Sequence, residues 1–192
     1  MRVSAKADYA LRACVELAAV EGAGAVKGER IAQAQEIPLK FLENILGDLR
    51  HSGLVRSQRG VEGGYWLARP ASEITLAEVI RAVEGPLANV RGVRPESIEY
   101  AGSAEPLREV WVAVRASLRS VLEAVTLADV ARNELPPVVR ELVAAGLLTK
   151  PFNPAGGRGR SKVVFADEIE NIQQIGVEKA LAEAAQDDDQ AV

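Results

Sequence analysis

Two stretches of this 192-residue sequence carry polar side chains at spacings suited to meeting a nucleic acid. In the first, Lys40, Glu43, Asn44 and Gly47 recur every three or four residues, with Arg50 and His51 beyond them, so a helix would present them together. Glutamate can accept from a cytosine amino group, asparagine can pair with adenine, and glycine lets a helix backbone approach base edges. The second stretch is Arg56-Ser57-Gln58-Arg59, followed by Gly60, Gly63 and Gly64. Arginine at the tip of a tight turn suits the narrow, electronegative minor groove, and the glycines permit the turn. Lys6 and Tyr9, early in the first helical stretch, add groups that can meet phosphate, as can the free amides of a helix start. The set expected to touch double-stranded DNA is thus Lys6, Tyr9, Lys40, Glu43, Asn44, Arg50, Arg56, Ser57, Arg59, Gly63 and Gly64.

Other chemistry is poorly supplied. The chain has one cysteine, Cys14, and one histidine, His51, which cannot build a disulfide, a zinc site or an iron–sulfur site. No Gly-x-Ser-x-Gly or metal-ligand spacing occurs, and Gly156-Gly-Arg-Gly-Arg-Ser-Lys162 lacks the spacing of a P-loop. Neither an enzyme nor a cofactor is expected.

The elements that would hold the polar stretches can be read from periodicity. Residues 4–21 form a helical stripe through Ala10, Ala13, Cys14, Leu17 and Val20, stopped by Gly22 and Gly24. A short helix fits 27–35. Pro38 opens a third, with Phe41, Leu42, Ile45, Leu46 and Leu49 as its buried face, ended by Gly53. Residues 54–58 and 64–68 are strand-like and joined by a glycine-rich turn, hence a hairpin with Tyr65 and Leu67 inward and Trp66 outward. Thr75-Leu-Ala-Glu78 is a capping box for a fourth helix closed by Gly85-Pro86. The expected fold is mostly α with a small β-hairpin wing: a winged helix-turn-helix followed by a long dimerisation helix.

That last helix is predicted from an a/d seam, Leu107, Trp111, Val114, Leu118, Val121 and Val125, preceded by a loop over 86–105. These six residues are the expected homodimer interface. Thr126-Leu-Ala-Asp129 caps another short helix, and Pro136-Pro137 begins one that ends at Gly146. A second hairpin is expected across 147–165, as a plain hairpin or a degenerate second wing, then a helix over 167–185. The domains expected are therefore 1–85, winged helix-turn-helix; 86–133, loop and dimerisation helix; and 134–192, a helix, hairpin and acidic tail.

The net charge of -4 is unevenly spread. Residues 1–85 hold 11 basic and 11 acidic side chains, 86–145 hold 7 and 8, and 146–192 hold 5 and 8. The acidic excess lies in the tail, which leaves room for a local basic patch in the first segment. With no long apolar run and no secretory hydrophobic region, a cytoplasmic protein without membrane contact is expected.

Several motifs, taken in order, resemble the Rrf2 family of bacterial transcription regulators. They are Ser4-x-Lys6-x-x-Tyr9-Ala10-Leu11-Arg12, Ile37-Pro38-x-x-Phe41-Leu42-Glu43-Asn44-Ile45-Leu46, Gly53-Leu54-Val55-x-Ser57-x-Arg59-Gly60 and Gly63-Gly64-Tyr65-x-Leu67-Ala68-Arg69-Pro70. Ile74-Thr75-Leu76, Ile80-Arg81-Ala82-Val83-Glu84-Gly85, Val110-Trp111 and Thr126-Leu127-Ala128-Asp129-Val130 continue the likeness, which covers roughly 1–144. The resemblance implies a homodimer on a partly palindromic operator, with Glu43 at a base and Arg59 at the wing tip. It also implies, in many members, an iron–sulfur cluster held by three cysteines in the loop matching 86–105. Here that loop has none, so Asp8, which matches a cluster ligand in one branch, is expected only to support a helix start. For a branch without those cysteines the resemblance implies a small molecule or an enzyme as effector, meeting the 86–105 loop or the tail. The expected function is sequence-specific DNA binding by a homodimeric repressor without a cluster. The alternative is a winged-helix module that binds a partner protein, which would recognise no operator at any salt concentration.

Overall fold

The structure, a computed structural model, describes residues 3–146. Helix α1 (Ala5–Ala19) begins where the Ser4 hydroxyl accepts from the Ala7 amide at 3.0 Å. Its buried face is Ala7, Ala10, Ala13, Cys14 and Leu17, and the first four are small enough to keep that face thin for other helices to close on it. Helix α2 (Gly28–Gln35) ends at Glu36, which adopts a left-handed conformation with φ of 52° and turns the chain within three residues into α3 (Leu39–His51). Leu42, Ile45, Leu46 and Leu49 of α3 are buried, as their spacing requires.

Phe41 does not join them. It lies at the edge of the apolar arc and is 43% exposed, meeting Tyr9 edge-to-face with ring centroids 5.8 Å apart.

Strands β1 (Val55–Gln58) and β2 (Gly64–Leu67) pair antiparallel, with Val55 opposite Leu67 and Arg56 opposite Trp66. Tyr65 and Leu67 pack against the core, as the alternation predicts. The sheet also gains a short third edge: Tyr65 and Val26 exchange two backbone hydrogen bonds, of 2.8 and 2.9 Å. Two glycines make this geometry possible. A β-carbon on Gly63 would stand 2.3 Å from the Gln58 carbonyl oxygen, and one on Gly64 would stand 2.5 Å from that of Val26. No other residue fits either place without moving backbone.

Helix α4 (Leu76–Glu84) carries the expected capping box, in which the Glu78 amide donates to the Thr75 hydroxyl and the Thr75 amide to the Glu78 carboxylate. Burial works against the Glu78 charge, but the Thr75 amide and Arg69 outweigh it, so its pKa falls below the ordinary carboxylate value. The segment 86–105 is irregular apart from two 3₁₀ turns, Pro95–Ser97 and Gly102–Ala104. Helix α5 (Leu107–Leu122) follows, then α6 (Leu127–Arg132), capped by Thr126 and Asp129, and α7 (Pro137–Ala144).

Val125 departs from the seam predicted for it. The helix stops at Leu122 because Thr126 caps the next one, and Val125 turns inward to 2% exposure while its carbonyl accepts from the Leu76 amide at 3.0 Å. Leu127 and Ala128 enter the same core as α1 and α4, so α6 packs into the winged-helix core although the sequence grouped it with the dimerisation segment. Cys14 is fully buried there, and burial pushes its thiol pKa up to about 12. The second hairpin and the acidic helix expected beyond Gly146 lie outside the described residues.

Candidate nucleic-acid interface

The polar side of α3 is exposed along its length. Lys40, Glu43, Asn44, Arg50 and His51 all face solvent opposite the buried leucines and isoleucine. Lys40 and Glu43 pair at 3.2 Å, a contact between exposed groups that is easily exchanged for another partner. The His51 ring nitrogen Nδ1 sits 2.8 Å from the Gly47 carbonyl oxygen, which ties the ring to its own helix.

Asn44, Arg50, Arg56 and Arg59 make no side-chain hydrogen bond or ion pair with another of the described residues. Arg56 and Ser57 lie on β1, and Arg59 starts the turn whose shape Gly60, Gly63 and Gly64 set. The Lys27 ammonium donates to the Gly60 carbonyl at 2.9 Å, bracing the wing tip from α2's start. Behind the wing, Arg50, Arg56, Ser57, Trp66 and Arg69 line an open groove of about 500 Å³. Trp66 is half-buried there, and its outward placement follows the strand alternation. Arg69 lies outside the set of DNA contacts expected from the sequence. Its guanidinium is held by Glu78 at 2.7 Å and by the Glu73 carbonyl at 3.3 Å, contacts that only the folded α4 start creates.

The two α1 residues are placed differently. Lys6 donates to the Val83 carbonyl at 2.9 Å and pairs with Asp48 at 2.8 Å. Two of the three ammonium donors are therefore used inside the domain, joining α1 to both α3 and α4. Tyr9 is half-buried between Phe41 and the Arg12 guanidinium, which stands 5.5 Å above its ring. Asp8 lies in the first turn of α1 and accepts from Arg12 at 3.4 Å.

An apolar core with helix α3 and a hairpin bearing unpartnered arginines is a general solution for reading DNA, and the comparisons with known proteins make it specific. The Rrf2 family model, described as an iron-dependent transcriptional regulator, matches residues 3–133. The chain belongs to the Rrf2 family. Rv1287 of Mycobacterium tuberculosis, named as an HTH-type transcriptional regulator, is 53% identical over 142 residues, covering 74% of this chain and 88% of that one. The solved structure of CymR, the global cysteine regulator of B. subtilis, is 35% identical with a TM-score of 0.60, and the match covers 69% of this chain and 98% of CymR. That of T. potens IscR is 34% identical with a TM-score of 0.58, covering 69% and 88%. The chain is thus a DNA-binding transcriptional regulator of the Rrf2 type, with the winged-helix fold of its structural relatives.

The iron dependence in the family description can be tested against the donors this Rrf2 chain offers. Its one thiol is sealed in the core as the neutral form, and its one imidazole lies on the exposed face of α3. No group of three or more histidine, cysteine, aspartate or glutamate side chains among the described residues is arranged to hold a metal. The donor set does not fit an iron centre of the thiolate type.

Proposed function

We propose that this Rrf2 regulator is a homodimeric, cluster-independent repressor of the cytoplasm, occupying a partly palindromic operator and so blocking transcription. What carries the reading is the pattern on one face: Asn44, Arg50, Arg56 and Arg59 are held on a closed core with no protein partner among the described residues. In the proposed complex α3 enters the major groove, with Glu43 and Asn44 at base edges and Lys40, Gly47 and Arg50 beside them. The wing lays Arg59 into the minor groove while Arg56 and Ser57 meet phosphate, with Gly63 and Gly64 holding the turn. Tyr9 and the remaining donor of Lys6 add phosphate contacts at the edge.

The homodimer is supported by α5. Leu107, Trp111, Val114, Leu118 and Val121 line it, yet none of its residues is buried in one chain, and Leu107 is 41% exposed. A second copy would cover this stripe and set two α3 helices about one DNA turn, or roughly 10 base pairs, apart.

Fluorescence anisotropy of the metal-free protein on its own upstream DNA tests the reading. Specific binding should persist in chelator, and its affinity should fall steeply with salt as phosphate counterions are released. Binding that requires added iron would overturn the cluster-independent part. Equal affinity for unrelated DNA would overturn operator recognition and leave the wing to a protein partner.

A further inference from the structure

The fold gathers four arginines from three segments of the chain. Arg81 of α4, Arg94 of the 86–105 segment, and Arg115 and Arg119 of α5 line one open cleft of about 550 Å³ with Gly85, Pro86 and Glu123. Among the described residues, Glu123 is the one carboxylate in its wall. It accepts from Arg119 at 2.9 and 3.2 Å and is also bonded to Arg81, so two guanidinium groups share one acceptor. Those hydrogen bonds, Arg119's first and Arg81's next, bring the carboxyl pKa down to about 2.

Arg115 is the most enclosed of the four, its side chain 11% exposed. One terminal nitrogen donates to the Leu87 carbonyl at 2.6 Å. Its Nε is buried 3.2 Å from a Glu96 carboxylate oxygen, but no hydrogen bond satisfies it. The Arg94 side chain is exposed and makes no hydrogen bond or ion pair with another of the described residues. Among the described residues, even with Glu96 counted, the cleft holds more positive charge than its carboxylates neutralise. Planar guanidinium forks converging on one space suit carboxylate and phosphate oxygens, and the volume suits a small metabolite.

We propose that this cleft binds a small molecule carrying at least two negative charges, as carboxylate or phosphate groups, and that its occupation changes operator affinity. The second half rests on the DNA-binding reading above. The ligand would bridge Arg94 to the Arg81–Arg119 pair and take over part of the role of Glu123, altering how α4 is tied to α5. From α4 the change has a short route to the recognition helix, because Lys6 binds both the Val83 carbonyl of α4 and Asp48 of α3. An effector differs in its contacts between two states, and this cleft supplies groups that could make that difference.

Isothermal titration of the full chain with inorganic pyrophosphate, and separately with citrate, at fixed ionic strength is the test. At least one probe should bind saturably, and Arg94→Ala should weaken that binding by about tenfold, the loss of one charge-assisted contact. Arg119→Ala should weaken it also, while Arg59→Ala at the wing should leave it unchanged. Arg94→Ala should keep the circular dichroism and the probe-free operator affinity of the wild type. Absence of saturable binding by both probes overturns the site. So does binding that follows Arg59→Ala rather than Arg94→Ala, because the probe then sits on the DNA face. Conversion of Arg94→Glu to a monomer in light scattering would show the cleft covered by a second copy instead. Anisotropy with saturating probe should shift operator affinity for wild type and not for Arg94→Ala; no shift overturns the regulatory half alone. Loss of operator recognition without any probe would count against the DNA-binding reading, and the titration would still decide the site.

Discussion

The α3–wing face and the α5 stripe are unfinished in opposite senses. Beneath α3 the apolar side is complete, with Leu42, Ile45, Leu46 and Leu49 buried in a single chain, and what lacks partners is polar: Asn44, Arg50, Arg56 and Arg59. On α5 Arg115 and Arg119 each face a carboxylate, Glu96 and Glu123, while Trp111, Val114, Leu118 and Val121 are only half-buried and Leu107 and Val110 are exposed. A surface short of polar partners can persist in water and wait for an anionic ligand, since water solvates it. A surface short of apolar partners gains by association, because each large side chain removed from water contributes roughly 1.5–3 kcal/mol. The difference suits the two proposed partners, a nucleic acid for the first surface and a second copy for the other.

The largest break in that comparison should come from Trp111→Asp. In a two-fold dimer the change enters twice, removing two aromatic contacts and placing two charges in an apolar seam. Dimerisation should weaken by about a thousandfold, or roughly 4 kcal/mol, giving monomers in light scattering at micromolar concentration. Operator binding should fall with it, while thermal unfolding of the winged helix changes little. A dimer that survives the substitution would remove the stripe's proposed role.

Gly64→Ala should act next most strongly, and on the fold. The added carbon would meet the Val26 carbonyl oxygen at 2.5 Å and force apart the two hydrogen bonds that Val26 and Tyr65 exchange. A loss of about 2–3 kcal/mol in urea unfolding is expected, with weaker operator binding because the wing is displaced. Unchanged stability would mean that this edge is not needed to hold the hairpin.

The same contact marks the limit of what the sequence shows. Glycines at 60, 63 and 64 advertise a turn, and Thr75-x-x-Glu78 and Thr126-x-x-Asp129 advertise helix starts, because each signal lies within a few residues. Val26 pairing with Tyr65, 39 positions away, leaves no such mark. Val125 fits the heptad spacing by count alone, but helix capping at Thr126 diverts it into the core. Phe41 sits on the apolar arc by angle, yet it stays 43% exposed and its contact is an edge-to-face one with Tyr9, which the helix period alone does not show. The polar face of α3 is legible because helix period fixes it; the four-arginine cleft is not, because only tertiary packing brings 81, 94, 115 and 119 together.

Removing the wing-tip charge should have a smaller effect, confined to binding. Arg59→Ala is expected to lower operator affinity by roughly tenfold and to reduce the slope of log affinity against log salt by about one. Stability should stay within about 0.5 kcal/mol, as for a surface side chain without partners. An unchanged affinity would take the wing out of the interface and leave α3 to act alone.

The smallest expected change separates recognition from attraction. Glu43 carries a negative charge on the face proposed to meet a polyanion, so a general electrostatic contact would be improved by deleting it. A contact to a cytosine amino group would instead be lost, at a cost of about 1 kcal/mol at one base pair, the low end for a single rather than bidentate contact. Glu43→Ala also frees Lys40 from its 3.2 Å pairing, which should raise affinity for DNA of any sequence slightly. The expected outcome is therefore a split: somewhat tighter binding to unrelated DNA, with discrimination relaxed at a single operator position in each half-site. Anisotropy on a panel of singly substituted operators reads both. If every operator gains equally, Glu43 reads no base, and specificity on this helix must come from Asn44 or from the shape of the DNA.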